Sequence, residues 1–134
     1  MWTCPNCQRL FKTTNQSHTC VDTTIDDLFA DRPDHLVLAF DAILQHVMMW
    51  EPNSVGASRY AVVFANSKAW LIVKPMTKEL DVKFYHDSPI DHHRIKKVVD
   101  YGGKYAHHLR VSEEHEVNGE FLKLLKMGYD YALE

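Results

Sequence analysis

Residues 60–85 read YAVVFANSKAWLIVKPMTKELDVKFY, and this stretch decides the expected fold. It holds two short runs rich in apolar and β-branched residues, 60–65 and 69–73, which are typical of strands. Asn66-Ser67-Lys68 lies between them and has the composition of a hairpin turn. The stretch therefore predicts two antiparallel strands joined by a short loop, with a further strand at 55–58 before them.

The period of two is clearest after a second turn at 74–78. Side chains of opposite character alternate there, with Leu80, Val82 and Phe84 set against Asp81, Lys83 and Tyr85. Because successive side chains of a strand point to opposite faces, one face of this strand should be buried and the other should be wet. The three strands form an antiparallel meander covered on one side.

Helical patterns flank the meander. Thr23 or Thr24 can cap a short helical turn at 25–29. Pro33 suits the first turn of the next helix, which Glu51-Pro52-Asn53 ends. Behind Pro33, apolar residues recur at helical spacing: Leu36, Val37, Phe40, Ile43, Leu44 and Val47.

The second half of the chain predicts a short helix at 91–100, a strand at 106–111 and a final helix. Ser112 can cap the final helix, and Asn118-Gly119 is a weak point within it. Its apolar stripe consists of Val117, Phe121, Leu124, Leu125, Gly128 and Ala132. The predicted fold class is α+β: a small antiparallel sheet, a meander of three to four strands plus one late strand, packed with three helices and preceded by a zinc knuckle.

The expected domains are a zinc knuckle at 1–22, a connector at 23–33 and the α+β domain at 34–134. The formal charge of −3 makes no strong overall field for a polyanion. No apolar run approaches the roughly 20 residues of a membrane helix, and no signal peptide is visible. We therefore expect a cytoplasmic protein that does not bind membranes.

The first twenty residues contain all three cysteines, in the pattern Cys4-Pro5-Asn6-Cys7 followed by His18-Thr19-Cys20. Three thiolates and one imidazole form a complete tetrahedral set for Zn²⁺, with no open position for water. The segment has too few large apolar residues for a core, so a metal must supply its folding energy. We expect structural zinc on Cys4, Cys7, His18 and Cys20; a free-thiol loop is the alternative.

The chain also resembles a known family. Its N-terminal residues Trp2-Thr3-Cys4-Pro5-x-Cys7-x-Arg9-x-Phe11, then Asn15-Gln16-x-His18-x-Cys20, are similar to the signature of domain of unknown function family 5655, an uncharacterised bacterial family. The Pro33-led helix, two strands at 60–64 and 70–75, a helix at 94–99, a strand at 105–111 carrying His108, and a helix at 121–129 follow that family's order. The resemblance implies a zinc-ribbon-like knuckle on a compact domain, and it supplies no activity.

The middle of the chain is rich in histidine. His86, His92-His93 and His107-His108 suggest a second metal site, for which His86, one of His92 and His93, and His108 must converge. Neighbouring histidines diverge on a helix or a strand, so neither adjacent pair chelates as a pair. If Leu109 faces the core, His107 shares its face and His108 faces outward. Surface histidines, with one satisfied in the core, are the favoured interpretation.

A basic, aromatic surface is the third candidate. Residues 68–110 hold nine Lys and Arg side chains against five Asp and Glu. With Trp70, Tyr85, Tyr101 and Tyr105 nearby, this region could contact phosphates and stack bases. An ordinary solvated face is the alternative.

Two functions are carried forward. The first is a non-enzymatic, zinc-binding module whose partner is a protein or a single-stranded nucleic acid. The second is a small enzyme with its site on the open face of the sheet, and the sequence does not decide between them. The side chains of that ligand face would be Trp70, Lys74, Arg94, Tyr105 and His108.

Overall fold

The computed structural model describes residues 2–5, 10–11 and 24–134. The two N-terminal strands, β1 (Trp2–Thr3) and β2 (Leu10–Phe11), pair antiparallel. The helices are α1 (Ile25–Phe29), α2 (Asp34–Val47) and α3 (Gly119–Leu133). The other strands are β3 (Ser54–Ala57), β4 (Val62–Ala65), β5 (Ala69–Pro75), β6 (Leu80–His86), β7 (Ile95–Asp100) and β8 (Tyr105–Val111).

Strands β3 to β8 form one antiparallel sheet in the order β3-β4-β5-β6-β8-β7. The α+β class and the antiparallel sheet with three helices are therefore confirmed, and the meander β3 to β6 lies where the sequence predicts it. The sheet is larger than expected, because six strands take part. In the described residues, no helix combines the length and the apolarity that crossing a membrane requires.

One face of the sheet, the inner face, packs against α2 and α3. Its side chains alternate along β4, β5, β6 and β8, and each is fully buried: Val62, Phe64, Leu71, Val73, Leu80, Val82, Phe84, His107, Leu109 and Val111. Phe40 of α2 packs on Phe64 with ring centroids 6.4 Å apart. Apolar burial on this face supplies most of the driving force for folding.

A bulge turns Trp70 into the core. Ala65 pairs with Ala69, but Phe64 pairs with Leu71, so Trp70 is an extra residue in β5. Its ring packs edge-on against Tyr129, and its Nε1 donates to Asn53 Oδ1 at 3.1 Å. The bulge reverses the direction that simple alternation gives this side chain.

The predicted helix at 91–100 is wrong, because residues 95–100 form strand β7 at the edge of the sheet. Ile95 pairs with Leu109 and Lys97 pairs with His108, with a register shift between them. β-Branched residues suit a strand better than a helix. The pairing with β8 therefore outweighs an apolar spacing that is also compatible with a helix.

The final helix begins later than predicted. Asn118 caps α3 by accepting from the Phe121 backbone N–H at 3.1 Å, so Asn118-Gly119 starts the helix and does not interrupt it. Ser112 instead donates through its N–H and its hydroxyl to the Glu116 carboxylate. Side-chain caps of this kind satisfy backbone donors that a helix start leaves unpaired.

Gly128 lets α3 approach the sheet closely. A Cβ at this position would lie 2.8 Å from Cδ2 of Phe84. The lack of a side chain is thus a requirement of helix-to-sheet packing, and it outweighs the low helix propensity of glycine.

Candidate functional site

The opposite face of the sheet, here the outer face, is formed by side chains that alternate with those of the core. Most of them are half-buried or exposed, and among the described residues no helix packs on this face. Its members are Val63, Ile72, Lys74, Asp81, Lys83, Tyr85, Lys97, Val99, Ala106, His108 and Arg110. The outer face is the open surface that the alternation of β6 predicts.

Cations prevail on the outer face. Two cross-strand rows carry most of the charge: Lys83–His108–Lys97 and Lys74–Asp81–Arg110. Lys104 adds a further cation from the β7–β8 turn, whereas Glu79 adds a second carboxylate before β6. Five Lys or Arg side chains thus face two carboxylates, so this surface is positive on a chain that is negative as a whole.

The Asp81 carboxylate organises the centre of the face. Arg110 Nε donates to its Oδ1 at 2.9 Å, and Arg110 Nη1 donates to Glu79 Oε1 at 3.1 Å. His108 Nδ1 lies 3.1 Å from both Asp81 oxygens. The side chains of Asp81 and His108 are only 15% and 13% exposed, so the pair is held in one orientation.

Tyr85 is the aromatic centre of the outer face. The Lys104 ammonium lies 4.2 Å from its ring centroid, and the Lys83 ammonium lies 5.6 Å away. Tyr101, which is 54% exposed, meets the Tyr85 ring edge-on at 6.3 Å. Rings flanked by ammonium groups can stack on a planar ligand while the cations contact its charged groups.

His107, the neighbour of His108, belongs to the core. Its Nε2 accepts from the Ile90 N–H at 3.0 Å, its Nδ1 lies 3.0 Å from the Tyr105 carbonyl oxygen, and its ring stacks on Phe84. Burial lowers the pKa of His107 below its usual value. The predicted placement of His107 inward and His108 outward is confirmed.

The proposed ligand face of five residues does not come together. Lys74 and His108 share the outer face, but Trp70 is fully buried on the inner side. Arg94 lies near the start of α3, where its guanidinium covers the Phe121 ring at 5.1 Å and donates to the Glu116 carbonyl. Tyr105, at the start of β8, follows the alternation of the inner face. These five side chains therefore do not form one pocket.

The three histidine positions proposed for a second metal do not converge either. His86 pairs with Asp87 at 3.1 Å and lies beside Tyr131, whereas His108 occupies the outer face. His92 and His93 lie in the loop before β7, and their side chains approach Glu120 of α3. The expectation that adjacent histidines diverge fails for this pair, because the loop allows their rings to stack at 4.5 Å.

The cluster of His92, His93 and Glu120 brings three ligand atoms within 4.8 Å of one another. The two stacked rings are nearly parallel, so their in-plane lone pairs do not point at one ion. In addition, His92 Nδ1 accepts from the Arg94 N–H at 3.1 Å, which leaves the proton of a neutral ring on Nε2. The cluster borders an open groove of about 570 Å³ along α3 and is not arranged for metal.

Of the predicted zinc ligands, Cys4 is buried beside Trp2. Cys7, His18 and Cys20 lie outside the described residues. The antiparallel pairing of β1 with β2 shows that the chain reverses direction between Thr3 and Leu10.

Sequence reasoning missed the role of Asp81 on the outer face, whereas it included Tyr85 among the rings of a possible basic, aromatic surface. Both were assigned to the wet side of β6, but their partners come from β8 and from the β7–β8 turn. The signal was present in the alternation of β8, which places His108 and Arg110 on one side. The alternation of β8 could be used in this way only once the pairing of β6 with β8 was known.

The chain matches a known family of domains. The model of a domain of unknown function, DUF5655, matches residues 25–132. No curated protein and no solved structure matches this chain.

Proposed function

The chain belongs to the DUF5655 family of domains of unknown function, and we propose that it is a zinc-stabilised, non-enzymatic module that binds single-stranded nucleic acid on the outer face. The observation that carries this proposal is the grouping of Lys83, Lys104 and Tyr85. Ammonium groups can contact phosphates while an accessible ring stacks on a base. Each stacked base contributes about 1–3 kcal/mol by alanine substitution.

A protein partner is the less favoured alternative. The centre of a protein–protein interface is depleted of charged residues, and lysine is under-represented there. The centre of the outer face carries Asp81, His108 and Arg110, with lysines on both sides. Single-stranded nucleic acid fits this mixture, because cations can contact its phosphates and aromatic rings can stack on its bases.

Fluorescence anisotropy with a labelled single-stranded oligonucleotide tests the binding. Tyr85→Ala and Lys83→Gln should each weaken binding at low salt, and log Kd should rise with log salt because counterions are released. Lys123→Gln, at an exposed position of α3, is the matched control and should bind as the unaltered protein does. An absence of binding, or equal losses in all three variants, would refute the outer face as the binding site.

We further propose that Cys4, Cys7, His18 and Cys20 hold one structural zinc. The support is the donor set itself, together with the burial of Cys4 and the antiparallel pairing of β1 with β2. A cytoplasmic location fits three cysteines that cannot all form intramolecular disulfides.

Metal analysis of the purified protein tests the zinc site. We expect one zinc per chain, lost in Cys7→Ser and retained in His93→Ala, which alters the exposed cluster near α3 instead. Cobalt substitution should give the intense thiolate charge-transfer absorption of a sulfur-rich site. Metal-free native protein, or loss of metal in His93→Ala, would contradict the assignment.

A further inference from the structure

His108 presents a defined hydrogen-bonding atom to the outer face. An ionised carboxylate accepts hydrogen bonds and cannot donate them, so the His108 nitrogen that faces Asp81 must carry a proton. This nitrogen is Nδ1, and it lies 3.1 Å from both carboxylate oxygens. The other nitrogen, Nε2, has no hydrogen-bond partner among the residues that the structure describes.

The Asp81 carboxylate also accepts a hydrogen bond from Arg110 Nε at 2.9 Å. With Nδ1 protonated, Nε2 of the neutral imidazole is a hydrogen-bond acceptor. Its ring is only 13% exposed and therefore has little freedom to turn. The outer face thus offers one fixed acceptor.

This acceptor lies among cations. Lys83 of β6 and Lys97 of β7 are its cross-strand neighbours on the two sides. The ammonium groups favour phosphates, whereas Nε2 requires a donor close to those phosphates. In single-stranded nucleic acid, the ribose 2′-hydroxyl meets both conditions, since it lies on the carbon next to the one that carries the 3′-phosphate. DNA has no such donor.

We propose that the outer face selects RNA over DNA, with His108 Nε2 accepting a hydrogen bond from a ribose 2′-hydroxyl. This inference rests on the proposed binding of single-stranded nucleic acid and names its substrate class. Lys83 and Lys97 contact phosphates of either polymer, so they set the affinity that RNA and DNA share. His108 sets the difference between them.

Three oligonucleotides of one sequence test the inference by anisotropy: RNA, the deoxyuridine-containing DNA, and 2′-O-methyl RNA. The methylated strand keeps the 2′-oxygen as an acceptor but has lost the hydroxyl donor. One hydrogen bond of ordinary strength corresponds to roughly a 5- to 10-fold difference in Kd. We therefore expect RNA to bind about that much more tightly than the other two, which should bind alike.

Variants of His108 separate recognition from folding. His108→Phe retains a ring without an acceptor and should remove the difference in Kd between RNA and DNA. His108→Gln, whose amide oxygen is an acceptor, should keep part of the preference. Circular dichroism and denaturant unfolding of both variants establish that the fold is intact.

The outcomes distinguish this inference from the proposed function. If the protein binds RNA and DNA equally, the role of His108 is refuted and the binding face stands. If 2′-O-methyl RNA binds as tightly as RNA, the donor is not the 2′-hydroxyl, and the inference again fails. If no oligonucleotide binds, the proposed function fails as well.

Discussion

The two faces of strand β8 differ sharply although their residues alternate along one chain. His107 is fully buried and has both ring nitrogens matched to backbone groups. His108 is partly buried, and only its Nδ1 has a partner in the described structure. The same residue type thus completes a core on one side and, on the other, has a ring nitrogen without a partner among the described residues.

The two faces of the sheet should therefore differ in what they contribute to folding and to the proposed binding. The inner face is apolar and packed against two helices, so substitutions there should act on folding. The outer face is charged, and no helix of the described residues packs on it, so we expect substitutions there to act on the proposed binding with little effect on the free energy of unfolding. Substitutions of matched neighbours can test this separation.

Phe84→Ala should give the largest effect. Phe84 is fully buried, stacks on His107 and lies against Gly128. Loss of a buried phenyl ring costs about 3–5 kcal/mol, because a cavity is added to the lost burial. Lys83→Ala, at the preceding residue on the outer face, should cost less than about 1 kcal/mol. Denaturant unfolding of the two variants measures the contrast, and equal losses would contradict it.

His107→Leu should cost about 1–3 kcal/mol, since the part-buried Ile90 N–H would lose its acceptor. It should also change the dependence of stability on pH. Burial lowers the pKa of His107 in the folded protein, so the unfolded chain binds more protons in mild acid. The unaltered protein should therefore lose stability as the pH falls below about 6.5 and onward through the lower folded pKa.

The pH effect is checked by measuring unfolding free energies from pH 5 to 8. His115→Gln, at an exposed position, should keep the slope of the unaltered protein. His107→Leu should have a shallower slope. An unchanged slope in His107→Leu would show that other groups cause the acid sensitivity.

Gly128→Ala tests how closely the inner face is packed. The added methyl group would lie 2.8 Å from Phe84 Cδ2, so the helix or the ring must shift. Overpacking costs about 1–3 kcal/mol, and the better helix propensity of alanine offsets up to about 1 kcal/mol of it. Gly119→Ala, which meets no atom within 4 Å, is the control and should be nearly neutral. Stabilisation by Gly128→Ala would contradict the close approach.

The sequence predicted the meander and α2 well, because each signal was local. Alternation along β6 identified both faces, and the apolar spacing behind Pro33 identified the buried stripe of α2. The same kind of signal was ambiguous at 95–100, where Ile95, Val98 and Val99 fit a helix or a strand. Only the antiparallel pairing with β8, which the local pattern does not reveal, decided it.

The candidate site was less predictable, because it depends on contacts across strands. Trp70 was predicted to lie on the open face, but the bulge in β5 turns it into the core. Asp81 and His108 are separated by 27 positions in the chain, and nothing local in the sequence pairs them. Once β6 is known to lie beside β8, their register places Asp81 and His108 on the same face of the sheet.

The smallest effect is expected from Glu79→Gln at the rim of the outer face. Its partner Arg110 is 25% exposed and Glu79 is 37% exposed, so solvent screens their contact at 3.1 Å. Pairs of this kind contribute about 0–1 kcal/mol, and added salt should reduce the difference further. Asp130→Asn, which removes the exposed partner of Lys126 on α3, is a matched control with a similarly small effect. A loss above about 2 kcal/mol of unfolding free energy in Glu79→Gln alone would mean that the outer face stabilises the fold as the core does. The expected contrast between a stabilising inner face and a binding outer face would then be wrong.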